Sequence, residues 1–275
     1  MTQPTRRAFA TGSLLLTMSA AGGAWAQATN NADALSIGSA SAPVDLVEYA
    51  SMACPHCAHF HSENWAQLKA NYIDTGRVRL TMREMLTEPA VAAYAMFQLA
   101  RSNNADGPEY FRRVGILFDR QRALMATGTV GALLEALVAT GAEWGLTRAQ
   151  IMASLNDGAG EQRISRSVDA ATAAGVNSTP TFFVNGQRAP DDFATPAGMA
   201  RVLDAALAAR AARDGDLRRR AHAVAARCRV RHERPQRDRA RRRGALREGR
   251  QSAGVDDGRG RHRGAGAQPA AHRRR

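Results

Sequence analysis

Two cysteines flanking a Pro-His dipeptide, Cys54-Pro55-His56-Cys57, are the residues of this 275-residue chain whose types and spacing most clearly carry chemistry. The apolar run before them predicts a strand over 44–49, and residues 60–72 after them predict a helix, with Pro55 suited to a first helical position. Residues i and i+3 of a helix lie about 5 Å apart at Cα, which a disulfide can span. The pair can therefore open and close with little backbone movement.

The predicted place of Cys54 at the start of a helix also bears on its reactivity. A helix N-terminus presents unpaired N–H groups and the positive end of the helix dipole, and both favour a thiolate over a thiol. The thiolate is the form that attacks in thiol–disulfide exchange. The pattern therefore indicates a redox-active pair.

Two other interpretations of the cysteine pair stay open at this point. A purely structural disulfide between Cys54 and Cys57 would close a very short loop, which constrains the unfolded chain little. A metal site could add His59 and His61, but structural zinc sites usually take a second ligand pair from a distant segment. The remaining cysteine, Cys228, is isolated in the sequence. We therefore expect no metal site.

The periodicity of the rest of the chain predicts a β-α-β start, a helical block and a β-hairpin followed by a helix. The apolar stripes of the helical block are most simply core, so we expect no cofactor site in them. A capping box at Thr147 and Gln150 and a hairpin turn at Asn185-Gly186 support these boundaries. The predicted strands lie at 44–49, 78–82 and 181–184, the helical block at 87–174, and the last helix at 195–210.

Charge is distributed very unevenly along the chain. Residues 211–275 contain 21 arginines, no lysine and 7 acidic residues, a net charge of +14, whereas residues 1–210 carry a net charge of −1. The nearly neutral part indicates no specific nucleic-acid partner and no anionic membrane. We expect 211–275 to be a disordered tail, and its lysine-free, Arg-rich composition is also typical of GC-rich DNA translated out of frame. A nucleic-acid-binding or anion-binding arm is the alternative, although no aromatic side chain is there to stack on bases.

The N-terminal residues predict an export signal. Thr5-Arg6-Arg7-Ala8-Phe9 precedes a short apolar run, and Ala24-Trp25-Ala26 has the small-x-small pattern of a cleavage site. The paired arginines resemble a twin-arginine signal, with Sec export as the alternative. We expect residues 1–26 to be cleaved and 27–42 to be a linker before a domain over 43–210. The mature protein would then act in the periplasm, where dithiols can stay oxidised.

The chain resembles the DsbA family of exported thiol–disulfide oxidoreductases. The resemblance rests on residues 48–57, EYASMACPHC, and on residues 175–186, GVNSTPTFFVNG, in this order and on either side of a helical block. It covers residues 35–210. It implies an α/β thioredoxin fold with an all-helical subdomain inserted at about 87–174.

The resemblance implies a role for each residue of the cysteine motif. Cys54 matches the exposed attacking cysteine and Cys57 the buried resolving one, and the two form the redox disulfide. His56 is implied to help stabilise the Cys54 thiolate, which would favour the reduced enzyme and make the disulfide easy to transfer.

The resemblance also implies roles outside the motif. Pro180 matches a cis-proline, and the backbone of Thr179 before it is implied to pair with an extended substrate. Glu48 matches a buried acid that exchanges protons with the resolving cysteine. We expect His59 and His61 to be surface or packing residues rather than catalytic ones.

The implied function is donation of the disulfide to reduced exported client proteins, with reoxidation by a membrane quinone-linked partner and without a cofactor. Isomerases of this type carry an N-terminal dimerisation domain, and residues 27–42 are too short for one, so we expect a monomeric oxidase. A threonine before the cis-proline is often seen in the isomerase branch, so an isomerase or reductase of the same fold remains an alternative. An alternative of another class is a binding or chaperone-like module whose CxxC is structural.

Overall fold

The computed structural model describes the backbone of residues 33–251 and the side chains of residues 33–225. The export signal predicted over 1–26, the side chain of Cys228 and residues 252–275 lie outside these described residues. The chain divides into two compact units, Met1–Arg213 and Asp214–Arg275. The candidate site belongs to the first unit.

A mixed five-stranded sheet forms the centre of the first unit, with the spatial order β1-β3-β2-β4-β5. Strands β2 and β3 pair in parallel, whereas the β1–β3, β2–β4 and β4–β5 pairs are antiparallel. The central strand β2 is buried along nearly its whole length, as a strand covered on both faces must be. The strands are β1 Ser36–Ile37, β2 Val44–Ala50, β3 Val78–Glu84, β4 Thr181–Val184 and β5 Gln187–Arg188.

Helix α1, Pro55–Leu68, follows β2 and continues into a π-helical turn at Lys69–Ile73. Five helices lie between β3 and β4, and one long helix follows the β4–β5 hairpin. This arrangement confirms the predicted fold class, an α/β sheet with an inserted helical block. The helices are α2 Ala90–Arg101, α3 Gly107–Met125, α4 Val130–Glu143, α5 Arg148–Leu155, α6 Gly158–Ala173 and α7 Pro196–Gln251.

Local sequence signals fix several of the element boundaries. The capping box predicted at α5 is present, because Thr147 Oγ1 accepts from the Gln150 amide at 3.3 Å and Gln150 Oε1 accepts from the Thr147 amide at 2.8 Å. Such a cap contributes about 1 kcal/mol to a helix. The predicted hairpin turn is also present, with φ of 50° at Asn185 and 79° at Gly186, the left-handed pair that a tight hairpin requires.

The linker predicted over 27–42 is wrong where the structure describes it. Ser36 and Ile37 form an edge strand that pairs with Thr81 and Leu80 of β3. The hydroxyl groups of Ser36 and Thr81 lie 2.7 Å apart, and the Ile37 side chain packs against the core. A strand of two residues leaves no measurable alternation in the sequence, so its pairing is decided by the neighbouring strand.

The structure also differs from the predicted disordered tail. Helix α7 was expected to end near Arg210 but continues to Gln251. Alanine and arginine are among the strongest helix formers, so local propensity sustains the helix where the absence of an apolar face suggested disorder. No helix within the described residues is both long enough and apolar enough to cross a membrane.

Candidate active site

Cys54 is the N-cap residue of α1 and Pro55 is the first residue of the helix, as the sequence predicted. Cys54 and Cys57 are both free thiols, so the structure shows the dithiol form. Cys54 is 6% exposed and Cys57 is fully buried. The expectation of an exposed attacking cysteine is therefore corrected: Cys54 is the more accessible of the two, but it is itself covered.

The cover over Cys54 is the loop that ends in Thr179 and Pro180. The Cys54 thiol donates to the backbone oxygen of Thr179 at 3.2 Å. The peptide bond between Thr179 and Pro180 is cis, and so is the one between Glu88 and Pro89, which the sequence did not indicate. Strand β4 begins directly after this loop and pairs with β2, which ends just before the cysteine motif. This pairing brings the loop to the sulfur.

The surroundings of Cys54 strongly favour its thiolate. The hydrogen bond from the Cys57 thiol lowers the pKa of Cys54, against an opposing effect of burial, and the Thr179 hydroxyl and the backbone amides of Cys57 and His56 lower it further, to about 5. In the thiol form Thr179 Oγ1 has no hydrogen-bond partner within the described part of the chain. This hydroxyl is therefore available to donate once Cys54 loses its proton.

Cys57 has the opposite character. Burial, the hydrogen bond to Cys54 and the negative charge of Glu48 all raise the pKa of the Cys57 thiol, in that order of size. The amide of Ser51 points at Cys57 Sγ at 3.5 Å. At neutral pH the surroundings therefore favour a thiolate at Cys54 and a thiol at Cys57.

The His56 side chain is exposed on the first turn of α1. The contribution of this residue to the pKa of Cys54 comes from its backbone amide. His59 is likewise exposed, as expected. The amide contributions of His56 and Cys57 are those of a helix N-terminus, which is the effect that the sequence predicted for Cys54.

Glu48 is fully buried in β2, and its carboxylate contacts His61 of α1. His61 Nε2 lies 3.2 Å from each carboxylate oxygen. His61 is 5% exposed. It packs in the interior, as expected, and it also contacts the Glu48 carboxylate. The available signal was its spacing, since His61 follows Cys57 by one helical turn and shares its face.

Two further polar residues support the motif and had no recognisable signal in the sequence. Gln121 of α3 donates through Nε2 to the backbone oxygens of Met52 at 2.7 Å and Cys54 at 2.9 Å. The Ser51 hydroxyl accepts from the Thr87 amide at 3.1 Å and lies 2.9 Å from the Thr87 hydroxyl. The helical block and the segment leading into it therefore hold the loop that carries Cys54.

A groove of about 890 Å³ opens beside the cysteine motif, between α1 and α3. Its walls are mostly apolar with a few polar groups, and they include Pro55, Ala58, His59, Phe118, Arg122 and Met125. The geometry as a whole offers a low-pKa sulfur, a buried second sulfur, a buried acid and a neighbouring concave surface.

The sequence model of the family described as Thioredoxin matches residues 30–205. The chain belongs to this family. Over 151 residues it is 31% identical to a Herminiimonas arsenicoxydans protein named "Na(+)/H(+) antiporter NhaA", a match that covers 55% of this chain and 22% of that protein. Over 151 residues it is 30% identical to a Rickettsia felis protein named "Putative protein-disulfide oxidoreductase", covering 54% of this chain and 52% of that protein. The chain thus spans about half or less of the length of these relatives.

Among solved structures, alpha-DsbA1 from Wolbachia pipientis superposes with a TM-score of 0.57 at 20% identity, covering 66% of this chain and 94% of that one. The likeness shows the fold, which is the thioredoxin fold with the helical insertion found in DsbA proteins. The fold that the resemblance implied for this thioredoxin-family chain is therefore confirmed.

Proposed function

We propose that this chain is an exported thiol:disulfide oxidoreductase that donates a Cys54–Cys57 disulfide to client proteins. The observation that carries the proposal is the place of Cys54 at the N-cap of α1, against Thr179 and beside the buried Cys57, which lowers the pKa of Cys54 to about 5. A stabilised thiolate favours the dithiol enzyme as a product, so the disulfide is readily handed on. Each unit of pKa depression at Cys54 is worth about 1.4 kcal/mol to that preference.

The exchange takes place in two displacements. A client thiolate attacks Cys54 Sγ, the bond to Cys57 breaks, and Cys57 leaves as a thiolate that takes up a proton through Glu48. The client is then joined to Cys54 by a mixed disulfide. A second client thiolate attacks the client sulfur of that bond and expels Cys54 as a thiolate, so that two electrons pass from the client dithiol to the enzyme.

The Thr179–Pro180 loop is the proposed docking point for the client backbone. Its carbonyl at Thr179 lies beside Cys54 Sγ, so an extended client segment attached to Cys54 would run along this loop and pair with it as an added strand. His56, exposed next to Cys54, would add electrostatic support to the thiolate when its ring is charged.

The clients are proposed to be reduced exported proteins, and the site of action the periplasm. Support comes from Arg6-Arg7 and the cleavage pattern Ala24-Trp25-Ala26, and from relatives named protein-disulfide oxidoreductases. A membrane quinone-linked protein is the proposed reoxidising partner, and the protein is proposed to act as a monomer.

The equilibrium of the cysteine pair with glutathione tests the proposal. Purified protein is incubated at a series of reduced-to-oxidised glutathione ratios, trapped with acid and alkylated, and its dithiol fraction is measured. Thioredoxin has a reduction potential of about −270 mV, and strongly oxidising pairs reach about −120 mV. We expect the potential of this protein to lie well above the first value and towards the second. The variant Cys54→Ser, which cannot form the disulfide, gives the background of the alkylation measurement. A potential at or below that of thioredoxin would contradict donation of the disulfide.

The threonine before the cis-proline, Thr179, is the one feature that favours an isomerase or reductase of the same fold. Scrambled and fully reduced forms of one disulfide-containing substrate separate these activities. An oxidase acts on the reduced form without added glutathione, whereas an isomerase recovers the scrambled form. A non-catalytic binding module would leave the scrambled and the reduced substrate unchanged, and its own disulfide would resist mild dithiol reductants.

A further inference from the structure

We infer that His61 is a positioning residue that holds the buried Glu48 side chain as an oriented carboxylate, ready to accept the proton of Cys57. The inference rests on the proposed function, in which Glu48 exchanges protons with Cys57. Glu48 and His61 together are called the buried pair below.

The contact within the buried pair is symmetric. His61 Nε2 lies 3.2 Å from Oε1 and 3.2 Å from Oε2 of Glu48, so one N–H group can donate to both oxygens. Both side chains are almost wholly removed from solvent. A carboxylate in such a place is stable only with a donor, because burial disfavours its charged form. His61 supplies that donor.

The buried surroundings of the His61 ring decide which of its two nitrogens carries a proton. Its ring stacks on Trp65 at 5.5 Å, lies tilted against Phe118 at 4.4 Å between centroids, and meets Phe60 edge-on. Its other nitrogen, Nδ1, is buried and has no hydrogen-bond partner within residues 33–225. A proton on Nδ1 would leave a buried donor unpaired, so the neutral ring protonated on Nε2 is the favoured form. This form donates to a carboxylate and does not accept from a carboxylic acid.

The groups packed around the buried pair do not compete for this role. Met82 of β3 and Phe182 of β4 lie opposite Glu48 in the sheet register, and Phe118 covers the pair from α3. None of these three side chains titrates. The titratable neighbour on which the charge of Glu48 acts is Cys57 of α1.

The step at which the buried pair acts is the closure of the enzyme disulfide from a mixed disulfide. The Cys57 thiol transfers its proton to the Glu48 carboxylate, and its sulfur attacks Cys54 Sγ. The bond between Cys54 and the other thiol breaks, and that thiol leaves as a thiolate. The Cys57 sulfur is oxidised from a thiol to a disulfide sulfur, the leaving sulfur is reduced, and Cys54 stays at the disulfide level, so the step needs no further reactant.

Two variants of similar size separate positioning from packing. His61→Met fills the ring space without a donor, and His61→Gln keeps a donor at the place of Nε2. Each is converted to the mixed disulfide of Cys54 with glutathione, and the release of glutathione is followed by rapid quench between pH 5 and 9. We expect release by His61→Met to be slower at pH 7 by about tenfold and to recover with rising pH, and release by His61→Gln to stay within about twofold of wild type.

The same substitutions in a Glu48→Gln background complete the test. There, His61→Met should have no further effect, because no carboxylate is left to position. Infrared spectra at pH 7 should show a protonated carboxyl band in His61→Met that is missing from wild type and from the double variant. Circular dichroism and urea unfolding establish that each variant is folded before its rate is compared.

Failure of the inference and failure of the proposed function have different signatures. If wild type forms no mixed disulfide, the proposed function fails. If wild type forms and resolves one, but His61→Met matches it or slows release equally in the Glu48→Gln background, the positioning role of His61 is overturned and the proposed function stands.

Discussion

Cys54 Sγ and the backbone oxygen of Thr179 lie 3.2 Å apart although the residues are separated by 125 positions in the chain. The carbonyl accepts from the thiol and cannot donate to a thiolate, so the contact belongs to the protonated form. The hydroxyl of the same residue stabilises the thiolate. Thr179 therefore presents one group to each protonation state of Cys54.

Alkylation of the dithiol protein across pH should reveal a single reactive sulfur. We expect the modification rate of Cys54 to follow a midpoint near pH 5, with Cys57 unmodified at neutral pH, because the pKa of Cys54 is lowered to about 5 and that of Cys57 is raised. Peptide mass analysis assigns the labelled residue. Labelling of Cys57 ahead of Cys54 at low pH would reverse the assignment of roles.

Cys57→Ala should make Cys54 less acidic. The hydrogen bond from the Cys57 thiol is the largest contribution that lowers the pKa of Cys54, so its removal should raise the midpoint by one unit or more, about 1.4 kcal/mol per unit. Cys57→Ser, which keeps a donor, is the matched control. An unchanged midpoint in Cys57→Ala would show that the helix N-terminus, and not the Cys57 thiol, is the main cause of the low pKa of Cys54.

Thr179→Val keeps the shape and the backbone carbonyl of Thr179 but removes its hydroxyl. We expect the midpoint of Cys54 alkylation to rise by up to about one unit and the reduction potential to fall with it. Thr179→Ser retains the hydroxyl and should resemble wild type. Equal midpoints in the valine and serine variants would show that the hydroxyl does not act on the thiolate.

The stability of the dithiol form should increase with pH between about 5 and 8. The pKa of Cys54 is lower in the folded protein, about 5, than in an unfolded chain, so folding favours the thiolate. This contribution is complete above the unfolded value, amounts to about 3 kcal/mol at pH 7, and is lost as pH falls through 5. Urea unfolding of the dithiol and disulfide forms at pH 4.5 and 7.5 measures it. Cys54→Ser should lack this pH dependence.

Gln121→Leu should loosen the loop that carries Cys54. The substitution leaves the backbone oxygens of Met52 and Cys54 without their donor, which should destabilise the protein by about 1–3 kcal/mol in urea unfolding. Gln187→Leu, at an exposed position of β5, provides the comparison and should change stability little. Equal effects of the two substitutions would show that the Gln121 hydrogen bonds are not needed.

Deleting residues 215–275 should leave the melting temperature and the redox activity of the protein intact. Asp214–Arg275 form a compact unit of their own, and the sheet, the helical block and the cysteine motif all lie in Met1–Arg213. Thermal unfolding and peptide oxidation by the truncated protein check this. A markedly lower melting temperature would mean that the Arg-rich segment supports the enzyme.

The sequence by itself determined the features that depend on neighbouring residues. The start of α1 at the cysteine motif, the capping box of Thr147 with Gln150 and the turn at Asn185-Gly186 each depend on backbone preferences and hydrogen bonds within a few residues. The helical block could be predicted for the same reason, because a periodic apolar stripe indicates a helix whichever element packs against it. The resemblance supplied the fold that joins these elements.

Tertiary structure alone decided which distant groups meet. The contact of Cys54 with Thr179 follows from the pairing of β2 with β4, the two bonds of Gln121 follow from the packing of α3, and the burial of His61 against Glu48 needs both α1 and the sheet. A polar residue on a helix has the same local pattern whether it faces solvent or a buried acid. Its partner is set by the register of the sheet and by the packing of helices, which short-range preferences do not encode.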